Sequence, residues 1–182
     1  MKRVLFILGV LDDDDIDWLI SIGKRQEIAQ GTILIHEGQP IDAIYFLLDG
    51  TLIVQVAALK EQVIAQLSSG EVVGEMSFVD TRLPSATVTA AEPSLLLTIP
   101  KHHLVDKLNQ DVWFAARFYR ALAILLSTRL RGTVQKIHEA DHWQPLDLSR
   151  ETLDLDMAAD MALAAIRFDW LLRRLRDGEI ET

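Results

Sequence analysis

The apolar pattern of this chain turns from strand-like to helical at Pro100, and that change fixes its architecture. Before it, from Gly31, short β-rich runs alternate with turn residues. Thr32-Ile33-Leu34-Ile35 closes on Glu37-Gly38-Gln39-Pro40, and Ile44-Tyr45-Phe46-Leu47-Leu48 closes on Asp49-Gly50. Thr51–Val56, Gln62–Leu67, Ala86–Ala90 and Leu95–Ile99 follow. Runs of this length with glycine punctuation predict an antiparallel sandwich or roll. Asp49-Gly50 predicts a hairpin, because such a turn demands positive φ. After Pro100 the period becomes helical. Phe114, Phe118, Ala121, Leu125 and Thr128 recur at spacings of four and three, with Leu122, Leu126 and Leu130 widening the stripe. They predict a long helix over about 112–137 with more apolar surface than water tolerates. It must pack on the roll, on the C-terminal helix or on a second copy of the chain.

Trp143 to Ser149 breaks the period. A last helix is expected over about 150–176, its apolar face built from Leu153, Met157, Met161, Ala164, Phe168, Leu171 and Leu175. At the other end, Asp12 to Asp15 precede Ile16, Trp18, Leu19, Ile20 and Ile22, as acidic residues do at a helix start. That helix should stop at Gly23. Four adjacent aspartates do not make a metal site, because neighbouring side chains point apart around a helix. The run Val4–Leu11 behind Met1-Lys2-Arg3 looks superficially like a leader, but it is short and meets Asp12 at once, so it is expected to belong to the fold.

Composition excludes several functions. Hydrophobic residues at 49% and charged residues at 25% describe a folded chain, not a disordered one. A net charge of −9 opposes phosphate-backbone binding. No cysteine means no disulfide, iron–sulfur cluster, thiolate zinc site or cysteine nucleophile, and fits a cytoplasmic location. No apolar run reaches the roughly 20 residues that span a bilayer.

The most informative segment for function is Gly74-Glu75-Met76-Ser77-Phe78-Val79-Asp80-Thr81-Arg82-Leu83-Pro84-Ser85-Ala86-Thr87-Val88. A glycine-acidic start, a polar turn and Ser-Ala-Thr-Val can seat a small anion against backbone N–H groups. Together with Gly31–Gly38 and the Ile44–Val54 hairpin, it resembles the cyclic nucleotide-binding domain family, the sensor module of catabolite-activator-type regulators and of cyclic-nucleotide-dependent kinases and channels. The similarity runs over roughly 11–137. It implies an α+β fold: an antiparallel β-roll (a double-stranded β-helix or jelly roll) with an N-terminal helix, a long C-terminal helix and, here, an extra terminal helix. The domain would occupy 1–137 and an acidic helical extension 138–182.

The resemblance also implies a ligand, cyclic AMP or cyclic GMP. Glu75 matches the family glutamate that accepts from the ribose 2′-hydroxyl. The backbone at Gly74, Met76 and Ser77 matches a short helix facing the ligand, and Ser85, Ala86 and Thr87 lie where the family contacts the phosphate. The family's phosphate-binding arginine is missing, because Pro84 stands at its position and offers no donor. Arg82, two residues earlier, could swing in. Glu75 without a cation would need a wet pocket, a pair with Arg82, or an outward turn. Ser127 and Thr128 are the polar candidates for base selectivity on the long helix.

The family further implies a homodimer through the 112–137 helix. The helix-turn-helix of catabolite-activator-type regulators is not recognisable. From His138 onward there are five arginines against eleven carboxylates, a net −6, so no DNA binding is expected. The output would be an unidentified protein partner, and no membrane partner is expected. An alternative is a dimeric interaction module that has lost its nucleotide. A remote one is a zinc hydrolase through His138-Glu139-Ala140-Asp141-His142, a match to His-Glu-x-x-His whose third ligand would be something like Asp160. No Walker loop, dinucleotide motif or nucleophile elbow accompanies it, so the chain reads as non-enzymatic, with no catalytic residues, no metal and no cofactor beyond the implied nucleotide.

Overall fold

The computed structural model describes residues 5–59, 62–140 and 155–177. Helix α1 (Leu5–Val10) and helix α2 (Asp13–Ile22) precede eight strands. These are β1 (Lys24–Ile28), β2 (Ile33–Ile35), β3 (Ala43–Asp49), β4 (Thr51–Gln55), β5 (Val63–Ser68), β6 (Val72–Val73), β7 (Thr87–Ala90) and β8 (Ser94–Pro100). The short helix α3 (Met76–Val79) interrupts them, and α4 (Lys101–Gln110), α5 (Val112–Ala140) and α6 (Leu155–Asp177) close the chain. The expected long helix is therefore three residues longer at its end. The expected last helix is seen from Leu155, and residues 150–154 lie outside the described part.

Two four-stranded antiparallel sheets form the roll, in the orders β1-β8-β3-β6 and β2-β7-β4-β5. Strand β3 is apolar without alternation because both of its faces are covered. Ile44, Phe46 and Leu48 face a layer of helices, while Leu47 joins Leu52, Val88 and Leu96 between the sheets. Gly50 has the positive φ expected of the Asp49-Gly50 turn, +99°, but the turn does not close a hairpin: it passes the chain from β3 in one sheet to β4 in the other, and the two strands do not pair. A Cβ on Gly50 would also lie 2.8 Å from the Cα of Ser94, so no other residue fits.

The helical layer is built from α1, α2, α5 and α6. Ile7, Leu8 and Leu11 pack in the same core as Phe114, Phe118, Leu125, Ala164, Phe168 and Leu171. The segment after Met1-Lys2-Arg3 is thus part of the fold from Leu5 onward. The aspartates of α2 have structural work. Asp12 accepts from the Asp15 amide at 2.9 Å and Asp15 from the Asp12 amide at 3.1 Å, a capping box. Buried Asp15 also takes Arg117 of α5 in a fork, at 2.6 and 2.9 Å. Burial pushes its pKa up, but Arg117 and the Asp12 amide outweigh that and hold it below 3.8. Arg167 of α6 reaches Asp13 at 2.8 Å and the carbonyls of Leu8 and Leu11, and Arg174 reaches Asp17 at 2.6 Å. Among the described residues, no group of three or more His, Asp or Glu could hold a metal.

Candidate functional site

Strand β6 delivers the chain to the cassette through Gly74, at φ +88°. A Cβ there would sit 3.0 Å from the Ala43 carbonyl and 3.0 Å from Ile41 Cδ1, so only glycine lets the turn lie this close to β3. Glu75 stands at the N-terminal end of α3, where its side chain makes no capping bond, and is only 2% exposed. It is not paired with Arg82, and it has not turned outward. Its partner is Arg129 of α5, whose Nη1 donates to Glu75 Oε1. Nη2 donates to Glu71 Oε2 at 3.1 Å and to the Val72 carbonyl. One guanidinium therefore joins two buried carboxylates and a strand end to the long helix. Burial raises the pKa of Glu75; the charge of Arg129 works against that rise, and Glu71 adds to it.

The rest of the cassette is dispersed. Met76 is exposed and Ser77 half-buried. The Arg82 side chain is 86% exposed, with its nearest carboxylate, Asp80, at 4.0 Å, so it does not replace the missing arginine. The Pro84 carbonyl accepts from the Gly38 amide at 2.8 Å, tying the cassette to the Glu37-Gly38 turn. Ser85 is exposed and Ala86 half-buried. Thr87 Oγ1 accepts from the Glu37 amide at 3.1 Å. Glu37 Oε2 in turn accepts from the Ala57 amide at 2.8 Å. Of the two polar candidates on the long helix, Ser127 is exposed and Thr128 donates back to the Ile124 carbonyl at 2.9 Å. The His138–His142 motif and Asp160 lie outside the residues whose side chains are described.

Thr81, in the cassette turn, is the one described non-glycine with positive φ, at 57°. A β-branched residue there is strained by about 1–2 kcal/mol. Glycine would relieve the strain at some entropic cost. Thr81→Gly is expected to stabilise the fold by roughly 0.5–1 kcal/mol in urea unfolding. A loss of stability would mean that the Thr81 hydroxyl bond to the Asp80 carbonyl, at 2.7 Å, outweighs the strain.

Sequence reading misses two residues that the structure joins to the cassette, Glu71 and Arg129. The 4,3 stripe of α5, expected to pack on the roll, on the C-terminal helix or on a second copy, is divided: its Leu130 is exposed. Phe114, Phe118, Ala121 and Leu125 are covered within the chain.

A roll of two four-stranded sheets, a glycine–glutamate turn and a long flanking helix together define a class of domain. Residues 25–111 match the family model of the cyclic nucleotide-binding domain, and the chain carries a domain of that family. A cyclic nucleotide-binding domain from Methylobacillus flagellatus superposes with a TM-score of 0.69 at 22% identity, over 79% of this chain and 85% of that one. The N-terminal domain of a transcriptional regulator from Streptomyces coelicolor gives 0.59 at 28% identity, over 78% and 98%. The cAMP-activated global transcriptional regulator CRP of Pasteurella multocida is 26% identical over 130 residues, 69% of this chain and 59% of that protein. An uncharacterized NTE family protein of Mycobacterium tuberculosis is 26% identical over 120 residues; the match spans 66% of this chain and 20% of that protein.

Proposed function

We propose that this chain is a non-enzymatic regulatory module whose cassette is read out through α5, and whose output is a protein contact and not DNA. The Arg129–Glu75 pair carries the reading. A ligand that engages Glu75 must compete with or reposition Arg129, and Arg129 is part of the same helix that holds α1, α2 and α6 through Phe118 and Arg117. The net −6 of residues 138–182 supports an output other than nucleic acid. Among the described residues no helix is long and apolar enough to cross a membrane. We place the module in the cytoplasm.

Its affinity for cyclic AMP and cyclic GMP is proposed to be low. Glu71 and Glu75 both engage the Arg129 guanidinium, and Pro84 adds no cation for a phosphate. A charge-assisted hydrogen bond is worth about 1.5–3 kcal/mol. Pro84→Arg should therefore tighten cyclic nucleotide binding by about tenfold to a hundredfold in calorimetric titration. Tight binding by wild type with no gain in Pro84→Arg would end the argument from the missing arginine.

The alternative is an interaction module that binds no nucleotide and assembles as a dimer. Because Phe114, Phe118, Ala121 and Leu125 are turned inward, such a dimer would have to use the outward side of α5, where Leu130 is exposed. A thermal shift with cyclic AMP or cyclic GMP distinguishes the two, because only a sensor is stabilised, and a strictly monomeric mass in light scattering removes the dimer.

A further inference from the structure

The aspartate run at the start of α2 joins two later helices. Asp12 and Asp15 take Arg117 of α5, while Asp13 takes Arg167 of α6 and Asp17 takes Arg174. On α6, Arg167 and Arg174 stand beside Ala164, Phe168 and Leu171, at spacings of three and four that share one side of the helix. The three apolar residues are buried, and α6 rests chiefly on α1. Helix α1 lies in turn on α5. Arg167 does more than pair with Asp13. Its Nη1 donates to the carbonyls of Leu8, at 2.9 Å, and of Leu11. These lie at the C-terminal end of α1, where no amide of the helix is left to reach them. Thus α6 supplies the cap of α1. Six residues are too few to hold a helix in water, so α1 needs α6 over it. In turn, α6 needs α1 beneath its apolar side.

We propose that α1 and α6 form a latch that opens as one unit while the β-roll stays folded, and that Arg167 is its pin. The magnitudes single out Arg167. Asp17 and Arg174 are 44% and 50% exposed, and a pair so wetted contributes little. The Arg167 side chain is 14% exposed, and its loss would leave two backbone carbonyls without their donor. The roll has no such dependence on α6. Strand β3 is paired along both edges, with β8 and β6, and strands of both sheets enclose a core of their own. Opening bares Ala164, Phe168 and Leu171, which the closed state hides. The latch also sits where α5 can act on it, because Arg117 and Arg167 grip the same turn of α2. A cassette signal carried by α5, as proposed above, would reach α6 by this route, but the latch itself does not depend on that reading.

Native-state hydrogen exchange on the full chain without ligand, followed by NMR in sub-denaturing urea, is the test. The Leu11 amide, bonded to the Ile7 carbonyl at 3.1 Å, reports on α1. Amides within α6 report on α6, and those of β3 and β8 on the roll. In wild type, Leu11 and α6 should converge on one shallow urea dependence, with β3 and β8 on a steeper one. Arg167→Met keeps the aliphatic stem and loses every donor. It should speed exchange at Leu11 and along α6 by the same factor, at least about tenfold, whereas Arg174→Met should speed them by no more than about threefold. The steeper slope of β3 and β8 should persist in both variants, which shows that they are folded. Leu52→Val, in the core between the sheets, should speed β3 and β8 by about fivefold and leave Leu11 and α6 within about twofold. The latch is overturned if Leu11 stays protected while α6 exchanges, since α6 then leaves alone. It is overturned if Leu52→Val speeds all four elements equally, since the helices then open only with the roll. Equal effects of Arg167→Met and Arg174→Met, or none from either, would remove Arg167 as the pin.

Discussion

Arg129→Ala should cost about 3–5 kcal/mol in urea unfolding at neutral pH, because it leaves Glu75 and Glu71 buried without their shared guanidinium. The loss should depend on pH. The pKa of Glu75 is already raised from its ordinary 4.5 by burial, with Arg129 opposing the rise, so removing Arg129 raises it further. A carboxyl whose folded pKa lies above the unfolded one favours folding fully below the unfolded pKa, and that contribution is lost as pH rises through the folded value. The deficit of Arg129→Ala should therefore be smallest near pH 4 and grow towards neutrality. Adding Glu75→Gln should recover part of the loss at neutral pH, because it removes a buried charge. A deficit independent of pH, with no recovery, would assign Arg129 to packing and to the Val72 carbonyl alone.

The site differs from its sequence reading for a definite physical reason. Gly74, Glu75 and Pro84 are adjacent in the chain and legible as a motif. Arg129 lies 54 residues from Glu75, among the polar positions of an amphipathic helix, where an arginine ordinarily faces water. Only the buried carboxylate could have signalled a need for it, and sequence supplied a nearer candidate in Arg82. The strands show the same division. The apolar runs became β2 to β5, β7 and β8, because burial writes itself into composition. Strand β1 escaped notice because Lys24-Arg25-Gln26-Glu27 is polar. It is an edge strand, paired only with β8, and solvent tolerates such residues there. Strand β6, two residues long, is too short to show a period. The stripe of α5 was legible as apolar, but periodicity cannot say which surface covers it. The fold chose the intrachain cover.

Phe118→Ala is the second large effect, and it bears on how a cassette signal would travel. Phe118 is 1% exposed, between Phe114, stacked at 5.4 Å, and Phe78 of α3, edge-on at 6.0 Å. Phe114 in turn meets Trp18 of α2 at 5.2 Å. Aromatic contacts thus run from the cassette helix through α5 to the N-terminal helix. Truncating the central ring leaves a cavity that rigid sheet and helix cannot close, and should cost about 3–5 kcal/mol. In a chain of this size that lowers Tm by roughly 10–15 °C. The informative measurement is a double-mutant cycle with Phe78→Ala. If α3 and α5 exchange energy through these rings, the two losses should fall short of additivity by about 0.5–1.5 kcal/mol. Strict additivity would leave the Arg129–Glu75 pair as the route from cassette to helix, and would concentrate any ligand response in one guanidinium.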